Sequence, residues 1–163
     1  MSAVDQFSAA YAFNRQRTLA LLDAVEQLPK PAEALAFRPG PGRAHIGWQL
    51  VHTAITEEIF ATERLSPAKP PKWTDLWPRF RGGSTPDDDV PPASFIRQLL
   101  AESRQRLLAT LAEYPDSRLG EIPAAMAQRK LTVQDVLYLL GWHEAHHQGQ
   151  AHITLNLYKA AHV

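Results

Sequence analysis

The sequence predicts an all-α protein, a four-helix bundle in which one long crossover connection joins two of the helices. Four segments repeat apolar residues at steps of three, four and seven, which is the spacing of an amphipathic helix. No segment shows a convincing strand pattern. The 163 residues fit a single domain, residues 1–163, and are enough to bury a real core.

The first predicted helix runs from about Val4 to Leu28. Its inward stripe follows helical spacing through Phe7, Tyr11, Asn14, Thr18, Leu21, Val25 and Leu28. We expect the Asn14 amide, which lies within that stripe, to be hydrogen-bonded to a neighbouring helix. The prolines and glycines that follow cannot continue a helix, because proline lacks the amide donor and glycine favours turns.

The second predicted helix runs from about His45 to Leu65. Its inward residues Trp48, His52, Ile55 and Ile59 follow at steps of four, three and four, so His52 belongs to the apolar stripe. A lone histidine there is more often a hydrogen-bonded core residue than a ligand. That interpretation changes if another helix offers two more imidazoles. His45 is expected to cap the helix or to face solvent.

Residues 66–92 form the longest irregular segment. Prolines interrupt it repeatedly, yet Trp73, Leu76, Trp77 and Phe80 are too apolar for a solvated linker, so we expect them to pack onto the body. The segment either covers one end of a pocket or only joins distant helix ends, and both alternatives stay open. The acidic run from Asp87 to Asp89 is expected to be solvated or to cap the next helix.

The third predicted helix spans about Ala93 to Glu113 and carries no identifiable chemistry. Phe95, Leu99, Leu107 and Leu111 are predicted to point inward, and the residues predicted to point mostly outward are Arg97, Glu102, Arg104 and Arg106.

The last predicted helix runs from about Thr132 to Ala160, and Thr132 with Asp135 resembles a capping box at its start. One face collects Val133, Val136, Leu140, His147, Ala151, Thr154 and Tyr158, with His143 at its edge. His146 falls well off that face. A second apolar arc contains Leu139, Trp142, Ile153 and Leu157. A helix that is apolar on two sides is central or is also covered by a partner, so we expect a homodimer.

His143 and His147 in this last helix are the strongest candidates for metal ligands. They are four residues apart, which is about one helical turn, so both rings project from the same side and can bind one divalent ion. The chain has no Cys, so any metal must be held by histidine and carboxylate. His52 is the only other histidine that lies mid-helix on an inward stripe. Three neutral imidazoles leave coordination positions open for water or an incoming anionic atom.

The run from His143 to His147 also satisfies the H-E-x-x-H pattern of zinc peptidases, in which the Glu is the general base. By itself this motif is a weak signal. The extended form requires Gly and His where this chain has Gln150 and Ile153, and a helical bundle offers no sheet edge for an extended peptide. We rank a peptidase low but keep Glu144 as a candidate catalytic base.

Together with the four-helix layout, two runs of residues resemble the DinB-like metalloenzyme family over essentially the whole chain. These are the run from Ile46 to His52 and the run from His143 to Gln150. In the family the second run often contains H-H-R-G-Q, and here Gln148 stands where Arg is frequent. The resemblance implies a metal site formed by His52, His143 and His147, usually with nickel or zinc, and it implies dimers. Some relatives transfer low-molecular-weight thiols such as mycothiol, bacillithiol or glutathione, or isomerise substrates with their help.

Three functions are therefore weighed. The first is a metal-dependent transfer of a low-molecular-weight thiol, and the second is a hydrolase that uses a metal-activated water. The third is a non-catalytic, stress-related binding protein in which the metal only joins helices. Lys and Arg together number 17, as do Asp and Glu, so nothing suggests a nucleic-acid or membrane partner, and a small molecule is the expected one. With no signal-peptide pattern and no run of membrane-spanning length, the expected location is the cytoplasm.

Overall fold

The computed structural model describes residues 2–162, and within that range it contains helices and no strand. The α-helices are α1 (Ala3–Glu26), α2 (Pro31–Ala36), α3 (Ile46–Ile59), α4 (Trp77–Phe80), α5 (Ala93–Leu111) and α6 (Val133–His162). A π-helical turn, Phe60–Arg64, continues α3, and two 3-10 turns, Asp116–Arg118 and Ala124–Arg129, lie between α5 and α6. None of these helices is both long enough and apolar enough to cross a bilayer.

The four long helices α1, α3, α5 and α6 pack against one another around the core. Helix α3 lies against both α5 and α6, and α1 contacts α6 and α5. Thirteen of the fourteen residues of α3 are buried, so it is the central helix. A side chain on α3 therefore meets another helix rather than solvent, and this explains why a histidine in its middle can be brought close to α6.

The predicted positions of the four long helices agree with the structure to within a few residues, but other parts differ. The short helix α4, Trp77–Phe80, lies in the segment 66–92 that we predicted to be irregular. Helix α2 lies in a stretch for which we predicted no helix. It forms because Pro31 occupies its first turn, where a missing amide donor costs nothing. The second helix was predicted to reach Leu65, but its last turn is π-helical from Phe60 to Arg64.

Helices α1 and α6 pack closely at Gly141. A Cβ atom at this position would lie 3.3 Å from the ring of Tyr11, so the glycine allows the helices to approach. The Tyr11 hydroxyl donates to the carbonyl oxygen of Leu137 at 2.6 Å, and the Asn14 amide donates to that of Gly141 at 2.9 Å. The prediction of an internal Asn14 amide is confirmed. These bonds fix the position of α6 within the two turns that precede His143.

The capping box at the start of α6 is also confirmed. The Asp135 backbone N–H donates to the Thr132 hydroxyl at 3.1 Å, and the Thr132 backbone N–H donates to the Asp135 carboxylate at 2.9 Å. Further along, the second apolar arc is largely solvent-exposed in the single chain, with Trp142 59% and Ile153 62% accessible. Leu139 is half-buried instead. The homodimer that would cover this arc stays a prediction.

The connection 66–92 packs onto α3. Phe80 is only 1% exposed, and the indole N–H of Trp48 donates to the carbonyl oxygen of Arg79 at 3.0 Å. The Arg79 guanidinium donates to the Asp87 carboxylate, so one member of the acidic run is paired within the connection. His45 caps α3, since its Nδ1 accepts from the Trp48 backbone N–H at 2.9 Å. The prediction that this segment packs onto the body is confirmed.

Each of the four long helices contributes one charged side chain to a buried ion network, and the prediction that Arg104 points outward is wrong. Glu57 of α3 accepts from Arg15 of α1 at 2.9 Å and from Arg104 Nε of α5 at 3.0 Å. Glu144 of α6 accepts from Arg15 at 2.6 Å and also from Arg104. Burial alone raises the pKa of Glu57, but Arg15 and Arg104 hold it below its usual value. Two positive and two negative charges compensate one another in the core.

Removing one charge from this network should destabilise the fold strongly. We expect Glu144→Gln to lower the free energy of unfolding by about 3–5 kcal/mol, because it leaves two buried guanidinium groups with one carboxylate. Urea unfolding followed by circular dichroism measures this change. Glu102→Gln is the matched control: it breaks a solvent-screened pair with Lys72 and should cost less than about 1 kcal/mol. Similar small losses in both variants would contradict a structural role for the network.

Candidate metal centre

Three imidazoles from two helices meet at one point of the core. His52 lies in the middle of α3 and is 5% exposed, while His143 and His147 lie one turn apart on α6 and are half-buried. One ring nitrogen of each residue lies within 4.8 Å of those of the other two, and the Nε2 atoms of His52 and His143 are 3.0 Å apart. The structure thus brings together the three histidines that the spacing and the resemblance selected.

The ring of His52 is oriented by the long connection. Its Nδ1 lies 2.6 Å from the carbonyl oxygen of Phe80, which can only accept, so the proton of the neutral ring is on Nδ1. The lone pair of Nε2 therefore faces the other two imidazoles. Trp48 stacks on the same ring with centroids 4.5 Å apart and planes 10° from parallel. The hydrogen bond to Phe80 sets the tautomer of the His52 ring, and the bond and the stacking together fix its direction.

Two glutamine amides orient His147 in a similar way. Its Nδ1–H donates to the Gln49 side-chain oxygen, which leaves Nε2 unprotonated. The Gln49 amide donates to the Gln150 oxygen at 2.9 Å, and the Gln150 amide donates to His146 Nε2 at 2.8 Å. Sequence reasoning missed both glutamines. The available signal was position, since Gln49 lies three residues before His52 and Gln150 three residues after His147.

Burial keeps the three rings neutral. It lowers the pKa of His143 to about 4, assisted by the neighbouring His52, and it lowers the pKa of His147 to about 2, assisted by His143 and His52. The pKa of His52 is also lowered by burial, against the opposing effect of the Phe80 carbonyl. Neutral imidazole is the form that binds a metal ion, so the three rings are in the protonation state that metal binding requires.

His146 does not join the cluster, as its position on the helix predicts. Its ring is exposed and stacks on Trp142 with centroids 4.8 Å apart. It borders the site through the Gln150 amide and through an edge-on contact with the ring of His147, with centroids 5.1 Å apart.

Glu144 is not beside the three imidazoles, and its expected role as catalytic base is corrected. The residue is 2% exposed, and its carboxylate accepts from Arg15, Thr18 and Arg104 in the ion network. Since one residue corresponds to about 100° on a helix, Glu144 and His143 face different sides of α6. The H-E-x-x-H pattern here results from two separate requirements, a pair of imidazoles on one face and a buried anion on another.

A cavity of about 470 Å³ opens beside the cluster, and His52 and His143 line part of its wall. The apolar part of the wall includes Ile59, Phe60, Met126 and Leu139. Trp48 and Gln49 line a second cavity of about 390 Å³. An ion held by the three imidazoles would lie at the edge of the first cavity, where a small molecule can reach it.

Comparison with known proteins agrees with this geometry. A family model described as the DinB superfamily matches residues 10–151, a range that includes all three histidines. This chain belongs to the DinB superfamily. The crystal structure of a conserved protein from Enterococcus faecalis has a similar fold, with a TM-score of 0.76 over 96% of this chain and 97% of that one, at 18% identity. A search of curated proteins finds no match.

The lowered histidine pKa values predict how the stability of this DinB superfamily protein depends on pH. In the unfolded chain each imidazole takes up a proton as pH falls below its ordinary pKa of 6.5, whereas the folded state resists protonation. The metal-free protein should therefore lose stability between about pH 6.5 and about pH 5, by roughly 1–2 kcal/mol for each of His143 and His147, and His52 should change stability in the same direction. Urea unfolding in the presence of a chelator measures this loss.

The variant His143→Gln is the control for this prediction, because the glutamine side chain does not titrate. Between the two pH values, this variant should lose less free energy of unfolding than the parent protein, by the contribution of one imidazole. A free energy of unfolding that does not change over this pH range in the parent protein would contradict the prediction.

Proposed function

We propose that this DinB superfamily protein is a metal-dependent enzyme in which His52, His143 and His147 bind one divalent ion, nickel or zinc. The observation that carries the proposal is the convergence of three imidazole nitrogens, within 4.8 Å of one another, at the edge of a cavity. The four long helices form what we describe as a four-helix bundle, and two of them carry the three histidines. In such bundles metal sites are commonly built from side chains on facing helices.

The donor set fits such an ion. Imidazole nitrogens suit zinc and nickel, and three of them leave at least one position for a substrate atom. Two of the rings donate their Nδ1–H to an oxygen, His52 to the Phe80 carbonyl and His147 to the side-chain oxygen of Gln49. Both bonds leave Nε2 unprotonated and directed toward the common point. Without an ion, the 3.0 Å contact between the Nε2 atoms of His52 and His143 needs a proton between them.

The reaction that we propose is the transfer of a low-molecular-weight thiol to an electrophile. A divalent ion at this position would lower the pKa of a thiol that reaches it. The chain has no Cys, so the sulfur nucleophile must come from outside. In the transfer the thiol releases its proton to solvent, sulfur forms a bond to the electrophilic carbon, and the leaving group departs with the electron pair of the broken bond. The buried rings and apolar wall would hold both reactants away from bulk water.

Two alternatives have weaker support. A hydrolase would use a metal-activated water, and no carboxylate side chain lines the cavity within the described residues 2–162 to assist the proton transfers. A purely structural ion would need no cavity at its edge. The helix pair α3 and α6 is also already joined by the core and by the ion network, so an ion is not required to hold it together.

The ligand assignment predicts which variants lose metal. His52→Ala, His143→Ala and His147→Ala should each lose stoichiometric metal, because two imidazoles hold the ion far less tightly than three. His146→Ala is the matched control and should retain it. Metal content is measured by mass spectrometry on protein purified without a histidine tag. Loss in the His146 variant together with retention in the His147 variant would reverse the assignment on α6.

The proposed reaction is tested by incubating metal-loaded protein with a thiol and monochlorobimane. Conjugation should exceed the uncatalysed rate at least about tenfold with one of the common cellular thiols, and it should fall to background in His143→Ala, which lacks a proposed ligand. The fluorescence of the conjugate is the readout. A rate equal to background with every thiol, measured on protein shown to contain metal, would exclude thiol transfer to this electrophile and leave the hydrolase alternative.

A further inference from the structure

Three arginines from separate parts of the chain line the cavity beside His52 and His143. Arg64 ends the π-helical turn after α3, Arg81 follows α4 in the long connection, and Arg129 ends the second 3-10 turn. No Asp or Glu lines the cavity within residues 2–162. Because the chain as a whole has a formal net charge of zero, this local excess of positive charge is a property of the cavity and not of the composition.

Arg81 and Arg129 differ from most arginines of the protein in having no partner. Across residues 2–162, neither guanidinium makes a side-chain hydrogen bond or an ion pair, whereas Arg79 and Arg106, for example, are paired with Asp87 and Glu58. Arg64 pairs with its neighbour Glu63 at 3.0 Å, and the two side chains are 33% and 40% exposed. A solvent-screened pair of this kind is weak, so Arg64 is also able to exchange its partner for a ligand.

The remainder of the cavity indicates the shape of such a ligand. The apolar residues Ile59, Phe60, Met126 and Leu139 share the wall with the two imidazoles and the three arginines. A small molecule that fills the cavity therefore needs an anionic group for the arginines, an apolar middle, and a reactive atom for the three-histidine site. An ion at that site would add further positive charge to the same cavity.

We propose that the substrate of this protein carries an anionic oxygen group, a carboxylate or a phosphate ester, that binds to Arg81 and Arg129 with Arg64 beside them. The planar fork of the guanidinium group donates two parallel hydrogen bonds to either oxyanion. This assignment rests on the proposed function for the position of the reactive atom. It makes the arginines specificity-determining residues, which select the substrate without taking part in bond formation.

The test compares thiols of equal chain length that end in a carboxylate, a phosphate ester or a hydroxyl group, with chains of three to six carbons. Binding to zinc-loaded protein is measured by titration calorimetry after the zinc content of each sample has been confirmed. At the best chain length, at least one anionic thiol should bind about tenfold more tightly than the hydroxyl thiol, which is the gain expected for a charged hydrogen-bonded pair. The ratio should fall as salt rises, since the arginines are accessible to solvent. The anionic thiol that binds more tightly identifies which of the two groups the arginines prefer.

The double variant Arg81→Gln with Arg129→Gln should remove most of this advantage and change the binding of the hydroxyl thiol far less. Arg17→Gln is the control: it removes one positive charge from an exposed position on α1 that lines neither cavity, and it should keep the advantage. Equal affinity of the parent protein for charged and uncharged thiols would overturn the proposal. So would an advantage that persists undiminished in the double variant.

The experiment also distinguishes failure of the proposed thiol chemistry from failure of the proposed anion site. If no thiol binds to zinc-loaded protein, the thiol chemistry is wrong, and a comparison of hexanoate and hexyl phosphate with hexanol then tests the arginines alone. Tighter binding of either anion in the parent protein, lost in the double variant, would support the anion site. Equal affinity for all three molecules would overturn it.

Discussion

The buried ion network that joins the four long helices is the constraint on which the rest of the structure depends. Arg15, Glu57, Arg104 and Glu144 come from α1, α3, α5 and α6 respectively, and each carboxylate accepts hydrogen bonds from both guanidinium groups. A shift of α3 or α6 by one turn would leave charges unpaired in the core, where an uncompensated charge is costly. The network therefore fixes the alignment of these two helices. Since Glu144 follows His143 directly, the same alignment brings His143 and His147 opposite His52.

Three segments of the chain contribute to the candidate metal site in different ways. Helices α3 and α6 supply the three imidazoles, whereas the connection 66–92 supplies the Phe80 carbonyl that sets the tautomer of His52. The same connection supplies Arg81 to the cavity wall. The segment therefore orients one ligand ring and adds positive charge to the cavity. Its aromatic residues are explained by this position, since they anchor the segment on the body of the protein.

Much of the fold could be predicted from periodicity, and the histidine cluster from spacing. His143 and His147 lie one turn apart, and His52 lies on an inward stripe. These are local properties of the sequence, so they can be predicted without knowing which residues contact them. Arg104 shows the limit of this reasoning. It lies four residues after Leu100 and three before Leu107, in the buried stripe, but its charge suggested an outward position. Its partners Glu57 and Glu144 are distant in sequence, and only the packing of the helices shows that they compensate it. The roles of Gln49 and Gln150 depend on cross-helix contacts for the same reason.

The most direct test of the central claim is X-ray absorption spectroscopy at the metal edge of protein purified without a histidine tag. A three-imidazole site predicts three nitrogen scatterers at about 2.0–2.1 Å from the metal with the outer-shell pattern of imidazole rings, together with at least one further light-atom ligand from solvent. A stoichiometric metal whose spectrum lacks imidazole scattering would contradict the account. So would protein that takes up no divalent metal at all.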